Sequence, residues 1–310
     1  MIEIFQGDVR DKLAELPGDS VQCVVTSPPY WGLRDYGVPG QLGLEPTPEE
    51  YVANMVEVFR GVWRVLKPDG ALWLVLADSY FGSGVNDGTK NPGLSKAAQR
   101  SSPKAISRRC SCHLKPKDLC GIPWRVALAL QADGWWLRQD IIWSKRSCMP
   151  ESVTDRCTKS HEYVFMLTKS GCYYYDAEAV KEAMIGLPHA PGNRSSGRLG
   201  SNGRTDNCVH ESDRVWGNSG HRNRRSVWTI PTAPYAEAHF ATFPPTLPRL
   251  CILAGSRPGD TVLDPFAGSG TTGMVAIDLA RKAVLIELNP EYVELIRQRC
   301  DVTLGMPLSC

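Results

Sequence analysis

Thr261-Val262-Leu263-Asp264-Pro265-Phe266-Ala267-Gly268-Ser269-Gly270-Thr271-Thr272 runs an apolar strand into a glycine turn, and a helical stretch, Gly273 to Arg281, follows. A second strand, Ala283 to Leu288, carries Glu287 near its end and is closed by Asn289-Pro290. Strand, glycine turn, helix and strand make the repeating unit of an open α/β sheet, in which glycines let a ligand approach the backbone at the helix start. An acid about 20 residues on, at the end of the next strand, is placed for ribose hydroxyls. No lysine follows Gly270, so this is not a phosphate-gripping P-loop, and the glycine spacing is not that of a pyrophosphate-binding dinucleotide site. Asp264 would itself repel a phosphate. The ligand that suits these residues is a nucleoside carrying a cationic or zwitterionic group, such as S-adenosylmethionine.

Far upstream, the apolar run Val21 to Val25 reads as a buried parallel strand that ends in Thr26-Ser27-Pro28-Pro29-Tyr30 and is followed at once by Trp31-Gly32. Two consecutive prolines forbid both helix and ladder, leaving a stiff, donor-poor corner at the carboxyl end of a strand, where ligands bind in open α/β sheets. Ser27 offers a hydroxyl, the adjacent carbonyls offer acceptors, and Tyr30, with Trp31 beside it, offers aromatic rings. Such a set can accept hydrogen bonds from a planar amino group and stack on the ring that bears it. Taken alone, the stretch reads more readily as an edge turn with a surface tyrosine.

The intervening chain keeps the α/β rhythm. Ile2 to Phe5 reads as a strand and Val9 to Leu16 as a helix, between which Asp8 either caps the helix or reaches into a ligand site. From Glu49 to Leu66 the residues Val52, Met55, Val56, Phe59, Val62, Trp63 and Leu66 recur at helical spacing and predict a core-facing stripe. Lys67-Pro68-Asp69-Gly70 closes that helix, and Ala71 to Leu76 reads as a buried strand. A helix is expected over Leu119 to Ala132, and buried strands over Trp135 to Trp143 and Tyr163 to Leu167. The isolated pair His161-Glu162 reads as structural.

Two polar stretches interrupt the rhythm. Between Val85 and Lys117 stand Lys90, Lys96, Arg100, Lys104, Arg108, Arg109, Lys115 and Lys117 against one acid, Asp87; a phosphate-binding arm and a plain solvated loop both fit. Cys110, Cys112, His113 and Cys120 lack the spacing of a structural zinc site, and no second pair follows. Between Lys181 and Arg225, Arg194, Arg198, Arg204, Arg214, Arg222, Arg224 and Arg225 alternate with five asparagines, Asn193, Asn202, Asn207, Asn218 and Asn223. Arginine and asparagine pair bidentately with guanine and adenine edges, although a flexible polar insertion has the same composition.

The composition, 42% hydrophobic and 22% charged over 310 residues, is that of a globular protein. A formal charge of only +2 means that any nucleic-acid surface must arise from uneven charge distribution. No apolar stretch approaches a membrane span, no signal segment precedes the first strand, and eleven cysteines without framework spacing agree with a reducing compartment. A cytoplasmic location is expected.

The glycine turn from Asp264 to Thr272, together with Val25-Thr26-Ser27-Pro28-Pro29-Tyr30, resembles the amino-methylating DNA methyltransferases, which modify cytosine N4 or adenine N6. The corner preceding the glycine turn, with a variable region between, resembles their beta, circularly permuted group. The likeness continues through Gly7-Asp8, Leu66 to Gly70, Asp140-Ile141-Ile142-Trp143, His161 to Val164 and Phe243-Pro244-Pro245-Thr246-Leu247-Pro248-Arg249. A serine at position 27 after Thr26 is the form usual in N4-cytosine enzymes, whereas aspartate there is commoner in N6-adenine enzymes.

The resemblance implies a Rossmann-like, mostly parallel α/β sheet with helices on both faces. The catalytic domain would comprise 1–183 and 229–310, with basic loop 81–118 inserted and a target-recognition region at 184–228. It implies a catalytic corner of Ser27, Pro28, Pro29 and Tyr30. S-adenosylmethionine would be held by Asp8, Phe243, Thr246, Asp264, Phe266, Ala267, Gly268, Ser269, Gly270 and Glu287. Double-stranded DNA is the implied partner, with Lys90, Lys96, Arg100, Arg108, Arg194, Arg198, Arg204, Arg222 and Arg224 as candidate contacts. Many members of the group dimerise, and no metal is expected in the chemistry.

Overall fold

The computed structural model describes residues 1–82, 112–148, 151–183, 220–232 and 243–305. Its contacts divide the chain into two compact units, 1–176 with 225–310, and 177–224. The first unit contains β1 (Ile2–Gln6), α1 (Val9–Glu15), β2 (Val21–Thr26), α2 (Pro48–Val65) and β3 (Leu66–Leu76). It continues with α3 (Ile122–Ala132), β4 (Trp136–Ser144) and β5 (His161–Thr168). The second unit contributes β6 (Glu182–Ala183) and β7 (His221–Arg222), an antiparallel pair. After it the first unit resumes with β8 (Val227–Thr229), α4 (Thr246–Gly255), β9 (Thr261–Asp264), α5 (Thr271–Asp278), β10 (Lys282–Glu287) and α6 (Pro290–Gly305).

Eight strands form one sheet in the order β1-β10-β9-β2-β3-β5-β4-β8. The five from β1 to β3 are parallel, β5 is antiparallel to both its neighbours, and β8 runs parallel to β4. The last long strands of the chain thus lie between the first two. From β9 the chain passes through α5 to β10 on one side, whereas from β2 it passes through α2 to β3 on the other. The strand order therefore reverses between β9 and β2, and the crevice at their carboxyl ends is the ligand position of an open α/β sheet.

Side-chain alternation sends successive residues to opposite faces. Val24, Leu72, Leu74 and Leu76 join Leu13 of α1, Met55, Phe59 and Val62 of α2 and Val126 and Leu130 of α3 in one core. On the other face Cys23 Sγ approaches the Cys251 carbonyl of α4, and Ile296 of α6 packs with Ala267 and Leu285. Helix α2 starts where Thr47 accepts from Glu50 N and Pro48 opens the first turn. Its buried stripe includes Tyr51 and Val58, while Val52, Val56 and Trp63 are only half-buried at its margin.

Two sequence expectations need correction. Strand β4 is not buried throughout: Trp136 is 51% exposed, only Ile141 and Trp143 are fully buried, and Leu137 packs partly buried against the core. It lies near the sheet edge, followed only by three-residue β8, so one face meets solvent. Lys67 to Gly70 is not merely a stop after the helix but the opening of β3. Val21 pairs with Leu66 and Cys23 with Ala71, so these residues form a bulge. A Cβ on Gly70 would lie 2.9 Å from the Gln22 carbonyl and 2.6 Å from Leu66 Cδ1, both held in the sheet. Gly70→Ala is therefore expected to destabilise the fold by about 1–3 kcal/mol, measured by urea unfolding; unchanged stability would contradict this packing.

Candidate active site

The pocket at the reversal point is a cavity of about 330 Å³. It is lined by both motifs: Ser27, Pro28, Pro29 and Tyr30 from the end of β2, and Asp264, Phe266, Ala267, Gly268 and Ser269 from the turn after β9. Asp8, Phe243 and Glu287 line it too. Thr246 and Gly270 are not among the lining residues. Thr246 opens α4, and Gly270 caps α5 in the left-handed conformation (φ +79°) with Ile296 3.1 Å from where its Cβ would be.

Asp264 joins the two motifs. Its Oδ1 accepts from Thr26 Oγ1 at 2.7 Å and Phe266 N at 3.1 Å, and its Oδ2 accepts from Thr272 Oγ1 at 2.6 Å. The last residue of β2, the turn after β9 and the first turn of α5 are thus tied to one carboxylate. Burial pushes that carboxyl up to about 6 against the opposing effect of these hydrogen bonds. Glu287 secures the turn from the neighbouring strand, accepting from Gly268 N and Asn289 N, each at 2.8 Å. Burial raises it as well, and the two amide donors oppose the rise. Ser269 lines the pocket while its Oγ accepts from Arg299 Nη1 at 2.6 Å.

Asp8 stands where helix and pocket meet. It caps α1 by accepting from Arg10 N at 2.8 Å while lining the pocket, and the Arg10 guanidinium holds it below the usual carboxylate range.

In the Ser-Pro-Pro-Tyr corner, Tyr51 Oη donates to the Pro29 carbonyl at 2.9 Å, which pins the prolines to α2. Ser27 Oγ donates to Tyr30 Oη at 3.0 Å, and Tyr30 Oη donates to Glu162 Oε2 at 2.9 Å. Glu162 Oε1 accepts from Lys145 Nζ. Burial, reinforced by the nearby Glu162 carboxylate, holds the Tyr30 phenol well above its ordinary value, so it stays protonated. Trp31 is not a second ring of the site. It is buried, and its Nε1 donates to the Glu45 carbonyl at 3.0 Å.

Several lining residues lie outside both motifs: Glu162, Arg34, Tyr36, Asn289 and Tyr292. Of the pair His161-Glu162, Glu162 reaches the pocket. Because β5 is antiparallel to β3, with Tyr163 opposite Leu76, its amino end reaches the carboxyl ends of the parallel strands.

The candidate DNA contacts are mostly out of view: Lys90, Lys96, Arg100, Arg108, Arg194, Arg198 and Arg204 lie outside the described residues. Within the second unit Arg222 pairs with Glu182 at 2.9 Å, and Arg224 Nε donates to the Val180 carbonyl at 2.8 Å. Of the cysteine cluster, Cys110 lies outside the described residues and Cys112 is disulfide-bonded. His113 Nδ1 lies 3.8 Å from Glu49 Oε1, and Cys120 is buried beside Ser79. Among the described residues no helix is long and apolar enough to cross a membrane.

The model of a DNA methylase family, the N6/N4 methylases, matches residues 21–298 and so spans both motifs. The chain belongs to this family. It is 47% identical over 300 residues to the Type II methyltransferase M.SmaI of Serratia marcescens, covering 96% of this chain and 90% of that one. Among solved structures it is similar to the PvuII DNA methyltransferase, titled cytosine-N4-specific, at a TM-score of 0.65 and 21% identity over 96% of this chain and 86% of that one. It is similar also to a DNA modification methylase of Thermus thermophilus, TTHA0409, solved in complex with S-adenosyl-L-methionine, at a TM-score of 0.59 and 24% identity over 98% and 97%. These two likenesses concern the fold.

Proposed function

We propose that this N6/N4 methylase is a Type II DNA methyltransferase that methylates the exocyclic N4 amine of cytosine in duplex DNA. The observation that carries the reading is the pocket in which the Ser27 to Tyr30 corner faces the Gly268 turn and Glu287. S-adenosylmethionine, when bound, supplies an electrophilic methyl on a sulfonium. The donor set fits it: a buried carboxylate, Asp264, suits its positive charge, while Gly268 (φ +53°) has open space where a side chain would stand. Glu287 would take the ribose hydroxyls, Asp8 the adenine amine, and Phe243 would pack against the ligand.

The chain's own residues do the rest. An exocyclic amine shares its lone pair with the ring and is a poor nucleophile, so the site must hold it where that pair faces the methyl carbon. Ser27 Oγ and the Pro28 carbonyl are the acceptors for its two protons, and the Tyr30 ring is the surface for the base. The base must first leave the duplex, because its amine is otherwise paired and out of reach. Serine at position 27 supports cytosine over adenine. The corner-first, turn-last order supports the circularly permuted group. Residues 184–228 are proposed as the target-recognition region, and the two basic stretches suit a polyanion. The cytoplasm is the expected location.

Labelled methyl transfer compared across duplex DNA, RNA and free nucleosides tests the substrate class: duplex DNA alone should be labelled, and preferential labelling of RNA or nucleosides would overturn it. A second test is pH. A cationic ligand favours ionised Asp264, whose carboxyl sits at about 6 before binding. S-adenosylmethionine affinity should therefore weaken as pH falls from about 7.5 to about 5.5 and level off above about 7. Asp264→Asn should be weaker throughout and flat across this range; an identical slope in the variant would exclude Asp264 as the cause.

A further inference from the structure

Ser27, Tyr30 and Glu162 form a hydrogen-bonded chain along one wall of the pocket, with links of 3.0 and 2.9 Å. Lys145 anchors the far oxygen of Glu162, and the two side chains of this ion pair are 22% and 13% exposed. Lys145 is itself set by its backbone, which donates to the Ser160 carbonyl at 2.8 Å, and by the Trp143 ring 4.6 Å beneath its ammonium.

The direction of this chain is fixed at the carboxylate end. An ionised carboxylate can only accept, so the Tyr30 hydroxyl donates to Glu162 and its oxygen is left to accept from Ser27. Ser27 has one proton and commits it inward. Toward the pocket it presents lone pairs. A conjugated exocyclic amine offers protons and no acceptor, so it is complementary to a serine held in this state and not to one whose hydrogen points outward.

We infer that Glu162 is a positioning residue that holds Ser27 as an acceptor for the target amine and, through Tyr30, receives the proton the amine sheds. The inference rests on the amino-methylation reading above. The amine lone pair forms the new N–C bond as the C–S bond breaks and its electron pair returns to sulfur. The nitrogen, now cationic, releases a proton to Ser27 Oγ. The Ser27 proton moves to Tyr30 Oη and the Tyr30 proton to Glu162, which becomes a neutral carboxylic acid and later loses the proton to water. Glutamine at 162 defeats both roles. Its amide nitrogen can donate to Tyr30, which turns the Tyr30 proton toward Ser27 and the Ser27 proton toward the substrate.

The test is single-turnover transfer of labelled methyl to duplex DNA, with S-adenosylmethionine affinity measured in parallel, for wild type, Glu162→Gln, Tyr30→Phe and the double variant. Each single variant should be slower by about 100-fold, the scale of positioned proton transfer, with cofactor affinity within about twofold of wild type. The double variant should be no slower than the slower single one, because the two groups act in series. Glu162→Gln at the wild-type rate, losses that multiply in the double variant, or loss of cofactor binding in Glu162→Gln would each overturn the relay alone. A wild type that transfers no methyl to DNA would overturn the amino-methylation reading and the relay with it.

Discussion

Ser27→Ala should slow methyl transfer by about 100- to 1000-fold while leaving S-adenosylmethionine affinity within about twofold, since a lost acceptor of this kind acts on the reacting group. Ser27 lines the pocket one residue beyond Thr26, whose hydroxyl is bonded to Asp264, so the proposed base contact and the Asp264 network rest on adjacent but separate side chains. Alanine removes the proposed acceptor hydroxyl without touching the Thr26–Asp264 bond. Tyr30 also loses its donor, but its own bond to Glu162 survives, so the wall should keep its shape. Single-turnover methylation and calorimetric titration separate the two effects. Equal losses of rate and of cofactor affinity would show that the corner is not divided in this way.

Asp264→Ala should abolish measurable cofactor binding and destabilise the protein by about 3 kcal/mol, because it takes their acceptor from the buried Thr26 hydroxyl and the Phe266 amide and leaves the Thr272 hydroxyl only the Val25 carbonyl at 3.4 Å. These three groups belong to the end of β2, the glycine turn and the start of α5. Their release loosens the meeting point of both motifs, so the expected loss exceeds that of a charge alone. Comparison with Asp264→Asn makes the distinction: the asparagine variant retains an oxygen and volume and should melt closer to wild type. A stable Asp264→Ala variant with normal cofactor affinity would remove this residue from the centre of the site.

Both motifs were legible in the chain because each is carried by short-range chemistry. Two prolines after a fully buried strand can do little but turn, and glycines at 268 and 270 adopt positive φ in the turn that exposes the backbone. The acid of Glu287 was legible because the β–α–β unit fixes where the next strand ends. Glu162 was not, since its position depends on β5 running against β3, and nothing within His161 to Thr168 records the direction of its partner. Trp31 misled for a related reason: adjacency to Tyr30 suggested a shared pocket, yet the turn sends it inward to the Glu45 carbonyl. The bulge at Lys67 to Gly70 was hidden because its residues are those of any turn, and only pairing with β2 makes them part of a strand.

The measurement that bears most directly on the account is modification-sensitive sequencing of DNA from cells expressing the protein, beside cells expressing Ser27→Ala. N4-methylcytosine is expected at one recurring sequence in the first and its near absence in the second. N6-methyladenine at the recurring site would contradict the base assignment, and DNA without any added methyl would contradict the function itself.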